Sequence, residues 1–152
     1  MPSVGDAAPD FTLPDQTGTP VSLSGLRGKT VVLFFYPKAD TSGCTVEACG
    51  FRDSKARFDA KSVVLLGMSP DPSKAQSKFA VKYDLPMQLL ADEGHAVAEK
   101  YGVWIEKSMY GRKYMGIDRT TFVIAPDGKI AHVFSKVKPA GHAEEVLAVV
   151  GG

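Results

Sequence analysis

Thr30-Val31-Val32-Leu33-Phe34-Phe35-Tyr36 runs straight into Pro37-Lys38-Ala39-Asp40-Thr41-Ser42-Gly43-Cys44-Thr45-Val46-Glu47-Ala48-Cys49. The first seven residues are apolar without a break and rich in β-branched and aromatic side chains. That is the pattern of a strand covered on both faces. Pro37, which has no backbone N–H for a ladder, ends it. From Cys44 to about Ala60 the period becomes helical. Cys44, Ala48, Phe51 and Phe58 fall on one inward stripe, and Arg52, Asp53, Lys55 and Arg57 supply the wet side. A buried strand that hands a thiol to the start of a helix is the pivot of the chain, and both cysteines lie in this stretch.

Upstream, Phe11-Thr12-Leu13 and Val21-Ser22-Leu23 alternate around Asp15-Gln16-Thr17-Gly18 and predict an N-terminal β-hairpin. Downstream, Ser62–Ser69 is a second buried-type strand. A helix follows to about Tyr83, capped by Asp71 or Ser73. Pro86 separates it from a short strand, Met87–Ala91, and His95–Tyr101 predicts a short helix stopped at Gly102. Val103–Gly116 is basic with interleaved Trp104, Met109, Tyr110, Tyr114 and Met115, and reads as a loop or edge strand. Thr120–Ala125 and Lys129–Ser135 are strands joined by the turn Pro126-Asp127-Gly128. A closing helix of about ten residues ends near Val150. Strands alternating with helices, then an antiparallel pair and a final helix, predict an α/β domain of thioredoxin-like fold. It has a central mixed β-sheet flanked by helices, the N-terminal β-hairpin, and a single domain over 1–152.

Composition narrows the function classes. Hydrophobic residues make up 44% and charged ones 23%, an ordinary globular balance. Eighteen basic and 17 acidic residues leave a net charge of +1, which gives no reason to expect nucleic acid or an anionic membrane as a partner. Met1–Asp10 has no basic region followed by an apolar run, and no apolar stretch reaches the roughly 18 residues of a membrane span. A soluble cytoplasmic protein is expected. Two cysteines are too few to staple a scaffold, and His95, His132 and His142 are scattered without metal-ligand spacing. No structural zinc site is expected, and the histidines receive no role. Redox or nucleophilic chemistry is the remaining use for the thiols.

A helix N-terminus presents unpaired N–H groups and about half a positive charge, both of which favour thiolate over thiol. Reduction of a peroxide needs more. The sulfur attacks one oxygen while the other leaves as an anion, so donors must face both. Thr41 can supply a hydroxyl, and the N–H groups of Gly43 and Cys44 are further candidates. Arg119 is the expected fixed charge: if Thr120–Ala125 runs antiparallel to Thr30–Tyr36, its start meets the sheet edge where Cys44 sits. Pro37 would close the pocket over the thiol, or serve only to end the strand. Glu47 reads first as a partner of the helix dipole, with a role in orienting Arg119 as the second reading.

Cys49 offers a way to close the cycle, because a sulfenic acid condenses with a nearby thiol. On an intact helix, residues five apart have Cα atoms about 8.7 Å apart, pointing about 140° away from each other. A disulfide accepts no more than about 7 Å. A Cys44–Cys49 bridge therefore requires the first turns of the helix to unwind, where Gly50 weakens it.

At these residues the chain resembles the peroxiredoxins, specifically the Q-type or bacterioferritin-comigratory-protein branch. The family pattern Pro-x-x-x-Thr/Ser-x-x-Cys occurs here as Pro37, Thr41 and Cys44. Cys44–Cys49, Phe51-Arg52-Asp53, Lys82–Pro86, Tyr101–Trp104 and Gly116–Phe122 also resemble this branch. The resemblance implies hydrogen peroxide and organic hydroperoxides as substrates, and no metal or organic cofactor. It implies Cys44 as the peroxidatic cysteine, with Pro37, Thr41 and Arg119 in the remaining pocket roles. It further implies Cys49 as the resolving cysteine, an intramolecular disulfide reduced by thioredoxin or a similar dithiol protein, and a monomer. Ser42 departs from the branch, where many members have proline, and leaves the loop less rigid.

Plainer readings stand beside these. Alone, Cys44 reads as a buried small hydrophobe, Cys49 equally as a helix packing residue or a redox partner, and Arg119 as a surface charge. The Trp104–Tyr114 segment reads as a solvated edge before it reads as a surface that docks a reductant or shapes the pocket mouth. A thioredoxin-type oxidoreductase would show Cys-x-x-Cys, whereas four residues intervene here. A non-enzymatic thiol sensor and a structural thioredoxin-like module would also fit two thiols on this fold.

Overall fold

β3 (Thr30–Phe35) is the strand around which the rest is laid, and its side chains alternate between two apolar cores. Val32 and Phe34, with Tyr36 just beyond the strand, face one core; Val31, Leu33 and Phe35 face the other. That is why its sequence is apolar at every position after Thr30. The computed structural model describes residues 1–150; Gly151 and Gly152, the end of the predicted domain 1–152, lie outside the described residues.

β1 (Thr12–Pro14) and β2 (Pro20–Ser22) form the expected N-terminal hairpin. α1 (Ser42–Ala60) follows β3, then β4 (Val63–Ser69), α2 (Ser73–Tyr83), β5 (Gln88–Ala91) and α3 (Ala96–Lys100). β6 (Trp104–Met109), β7 (Arg112–Ile117), β8 (Thr120–Ile124), β9 (Ile130–Phe134) and α4 (His142–Leu147) complete the order. The central sheet runs β5-β4-β3-β8-β9. β3, β4 and β5 are parallel, whereas β8 and β9 are antiparallel to their neighbours, so the sheet is mixed as expected. α1, α2 and α4 contribute to the core on one face; α3 and the N-terminal hairpin contribute to the core on the other.

Three expectations change. The segment after Val103 is not a loop but a separate hairpin, β6 with β7, outside the central sheet. Its turn residues Tyr110 and Gly111 both have positive φ (52° and 75°), the conformation that a two-residue hairpin turn needs. α2 has neither expected cap: its N-cap is Pro72, with no side-chain hydrogen bond. Asp71 instead turns its carboxylate to Ala39 and Ser69. The closing helix is shorter than ten residues: α4 ends at Leu147, and beyond it Val149 and Val150 both donate to the Val146 carbonyl, three and four residues back.

On α1, Cys44, Ala48, Phe51 and Phe58 are buried as the stripe requires. Phe51 stacks on Phe34 with ring centroids 4.5 Å apart, and this contact sets α1 against β3. On the next strand, Gly67 gives Phe34 its room. A Cβ there would lie 2.9 Å from both the Phe34 ring and Leu89 Cδ2, and both of those residues are fully buried. Gly67→Ala is expected to lower stability by about 1–3 kcal/mol through overpacking, read as a lower denaturant midpoint at unchanged slope.

Candidate active site

The antiparallel register of β3 and β8 pairs Phe35 with Thr120, so the residue just before β8 emerges where β3 ends. That residue is Arg119. The loop from Pro37 to Thr41 leaves the same end of β3 and starts α1, which brings Cys44 back over the sheet edge. Two distant parts of the sequence meet here for a topological reason, the one expected from the strand order.

Arg119 spreads its guanidinium across two groups of α1. Its Nη2 donates to Cys44 Sγ at 3.2 Å and its Nη1 to Glu47 Oε1 at 2.7 Å. Cys44 is 2% exposed and Glu47 1%. Burial acts to lower the Arg119 pKa, but Glu47 and Cys44 outweigh it and the net shift is upward. The cation is therefore fixed at all working pH values. Gly43 gives it room, since a Cβ at that position would sit 3.3 Å from Nη2 and 3.4 Å from Pro139 Cγ.

Glu47 is not in the first turn. α1 begins at Ser42, two residues earlier than its sequence pattern suggests, and the carboxyl points inward to Arg119 rather than acting on the helix dipole. The orienting role, the second reading, is the one its geometry supports. Burial raises its pKa to about 7, opposed by Arg119. Its other oxygen, Oε2, is buried without a hydrogen-bond partner among the described residues.

The helix start supplies the backbone donors. The first backbone bond of α1 runs from Thr45 N–H to the Thr41 carbonyl, which leaves the N–H groups of Gly43 and Cys44 without an intrahelical acceptor. Thr41 is the N-cap residue, with extended backbone (φ −91°, ψ 157°). Its hydroxyl donates to the Lys38 carbonyl at 2.8 Å, so it is turned into the loop and not bonded to Sγ. Among the described residues, the one hydrogen bond to Sγ comes from Arg119. Pro37 is half-buried at the end of β3. Cys49 is half-buried on the intact α1, and both cysteines are free.

Several residues around this site have no individual role assigned by the sequence. Lys107, on the β6–β7 hairpin, is half-buried and held below the usual lysine range by burial, with Asp118, Arg119 and Cys44 among the charges that act on it. His142 is 1% exposed, bonds through Nε2 to Thr121 Oγ1 at 2.7 Å and packs edge-on against Phe51. Asp40 has positive φ (61°) and binds Lys82 and Tyr83. Each partner is remote along the chain, and no local spacing marks it.

The pattern of the AhpC/TSA family matches residues 4–133. The chain is 49% identical over 143 residues to peroxiredoxin Bcp of Escherichia coli (strain K12), covering 94% of this chain and 92% of that protein. The solved structure of peroxidoxin BcpB from Mycobacterium tuberculosis is similar with a TM-score of 0.86 at 43% identity, covering 97% of this chain and 96% of that one. A structure of the bacterioferritin comigratory protein of Xanthomonas campestris, described for its alkyl peroxide reduction activity, aligns with a TM-score of 0.89 at 35% identity. Coverage there is 97% and 94%. Over nearly its whole length, in sequence and in fold, the chain belongs to the AhpC/TSA family and, within it, to the Bcp or Q-type peroxiredoxins.

Proposed function

We propose that this chain is a thiol-dependent peroxidase that reduces hydrogen peroxide and organic hydroperoxides through Cys44, acting as one domain over 1–152. The observation that carries the reading is the Arg119 fork, which holds Sγ and a buried carboxyl together at a helix start. The alkyl peroxide reduction described for the Xanthomonas campestris relative supports organic hydroperoxides as a substrate class.

In the first step the Cys44 thiolate attacks one oxygen of the O–O bond. The S–O bond forms as the O–O bond breaks, and the departing alkoxide or hydroxide takes up a proton to leave as alcohol or water. Arg119 and the N–H groups of Gly43 and Cys44 stabilise the charge that moves between the oxygens. Thr41 reaches the pocket if its hydroxyl leaves the Lys38 carbonyl, and Pro37 limits water. In the second step Cys49 attacks the sulfenic sulfur, an S–S bond forms and water leaves. This step requires the first turns of α1 to open. A dithiol protein such as thioredoxin then reduces the disulfide and is itself oxidised. The family resemblance supports that reductant, a monomer, and work in the cytoplasm.

A peroxide-consumption assay driven by thioredoxin tests the cycle. Cys44→Ser is expected to be inactive. Cys49→Ser should react with a single equivalent and then stall, and a wild type that reacts without turning over would make the chain a sensor instead. Arg119→Lys keeps the charge but loses the fork, and the rate constant for the first step should fall about 100-fold.

Glu47 adds a pH signature. The unfolded carboxyl releases its proton near 4.5, and the folded one keeps it to about 7. Its contribution to stability is therefore full below 4.5 and is lost as pH rises towards 7. Denaturant midpoints measured across that window should lose this downward component in Glu47→Gln.

A further inference from the structure

Opening of the first turns of α1 raises a problem that the chain must solve: where the opening stops. The segment Thr41–Phe51 carries both thiols, and both of its flanks are tied to the same helix, α2. On the near flank, the Asp40 carboxylate accepts from Lys82 Nζ at 3.0 and 3.2 Å and from the Tyr83 hydroxyl at 2.9 Å. One residue earlier, the Ala39 N–H donates to Asp71 Oδ2 at 2.7 Å, just ahead of α2. On the far flank, Arg52 Nη1 donates to the Tyr83 carbonyl at 2.7 Å, satisfying an orphan carbonyl at the end of α2.

The Asp71 contact is itself anchored in the core. Ser69 donates its hydroxyl to the same carboxylate oxygen at 2.6 Å, and Gln76 Nε2 donates to Ser69 Oγ at 2.8 Å. Buried Tyr36, at the end of β3, donates to Gln76 Oε1. The loop is thus wired to the sheet, not merely laid on the surface.

These ties do not resist unwinding. As a helix, the eleven residues Thr41–Phe51 span about 16 Å; as an extended chain they can span about 36 Å. The segment can melt while both ends stay where they are. We propose that Lys82, Tyr83 and Asp71 are positioning residues of the peroxide site: with Arg52, they pin both flanks of Thr41–Phe51, so that opening is confined to this segment and the Pro37–Asp40 loop stays in place. The opened segment is then a short closed loop that keeps Cys49 near the Cys44 sulfenic acid, and the pocket re-forms on reduction without rebuilding its loop. The inference rests on the reading that Cys49 resolves Cys44.

The Ala39 amide is the probe, because its protection reports the Asp71 contact. Wild type and the double variant Lys82→Met/Tyr83→Phe are each treated with one equivalent of hydrogen peroxide. Peptide mapping follows the Cys44–Cys49 disulfide, and amide exchange follows the backbone. In oxidised wild type, fast exchange should be confined to Thr41–Phe51. In the oxidised double variant it should spread into Lys38–Asp40, with exchange at Ala39 about three- to fivefold faster. Protection in β3 and β4 should be unchanged, which a general loss of stability would not allow. Asp71→Ala should have the same effect on the loop. A disulfide-bonded wild type whose fast exchange already extends beyond Asp40 and Arg52, or a double variant with unchanged Ala39 exchange, overturns the clamp alone. A wild type that forms no Cys44–Cys49 disulfide overturns the resolving role and the clamp together.

Discussion

The Arg119 guanidinium is the contact that joins β8 to the start of α1 at the candidate site. It stands at the start of β8 and touches α1 at two points one helical turn apart, Cys44 and Glu47. A single planar fork thereby fixes the rotation of α1 about its axis as well as the position of the sulfur. A lysine at the same place would supply charge without that second constraint. The carboxyl of Glu47 is costly to bury, and burial pushes its pKa up against the pull of Arg119. In return, the planar group on Arg119 has a fixed second partner and cannot turn away from the thiol. Sheet register decides the meeting, because Phe35 opposite Thr120 brings the start of β8 to the end of β3.

How much of this the sequence discloses follows from how local each signal is. β3 is legible because both faces are buried and every residue from Val31 to Phe35 is apolar. Arg119 is legible through strand direction, since antiparallel pairing leaves little choice about which end of β8 lies near Cys44. The β6–β7 hairpin is not, because most of its residues are exposed or half-buried and no period-2 pattern is imposed on them. Glu47 is misread through a shift of two residues: Ser42 and Gly43 are weak helix formers, so the sequence pattern starts the helix later than the backbone does. Asp71 looks like a cap for the helix it precedes, yet it serves a loop 32 residues upstream. Contacts of that kind have no spacing to read.

Thr41 illustrates the difference between a motif and a geometry. Its position before Cys44 matches the family pattern, while its hydroxyl is held by the Lys38 carbonyl and closes the loop on itself. The same residue thus shapes the approach to the helix by its backbone while its side chain is engaged within the loop. Here the backbone amides at the helix start, not the side chain, face no competing acceptor.

The division of β3 between two cores has a consequence for repeated cycles of oxidation and reduction. Cys44, Ala48 and Phe51 belong to the core shared by α1, α2 and α4, and no residue of α1 contributes to the core on the opposite face. Loosening the start of α1 can therefore disturb the packing on one side only. The second core, built from the N-terminal hairpin, α3 and the other side of the sheet, acts as a keel. If α1 opens as proposed for the Cys44–Cys49 step, this second core keeps strand order and register intact, and the site re-forms on a preserved template.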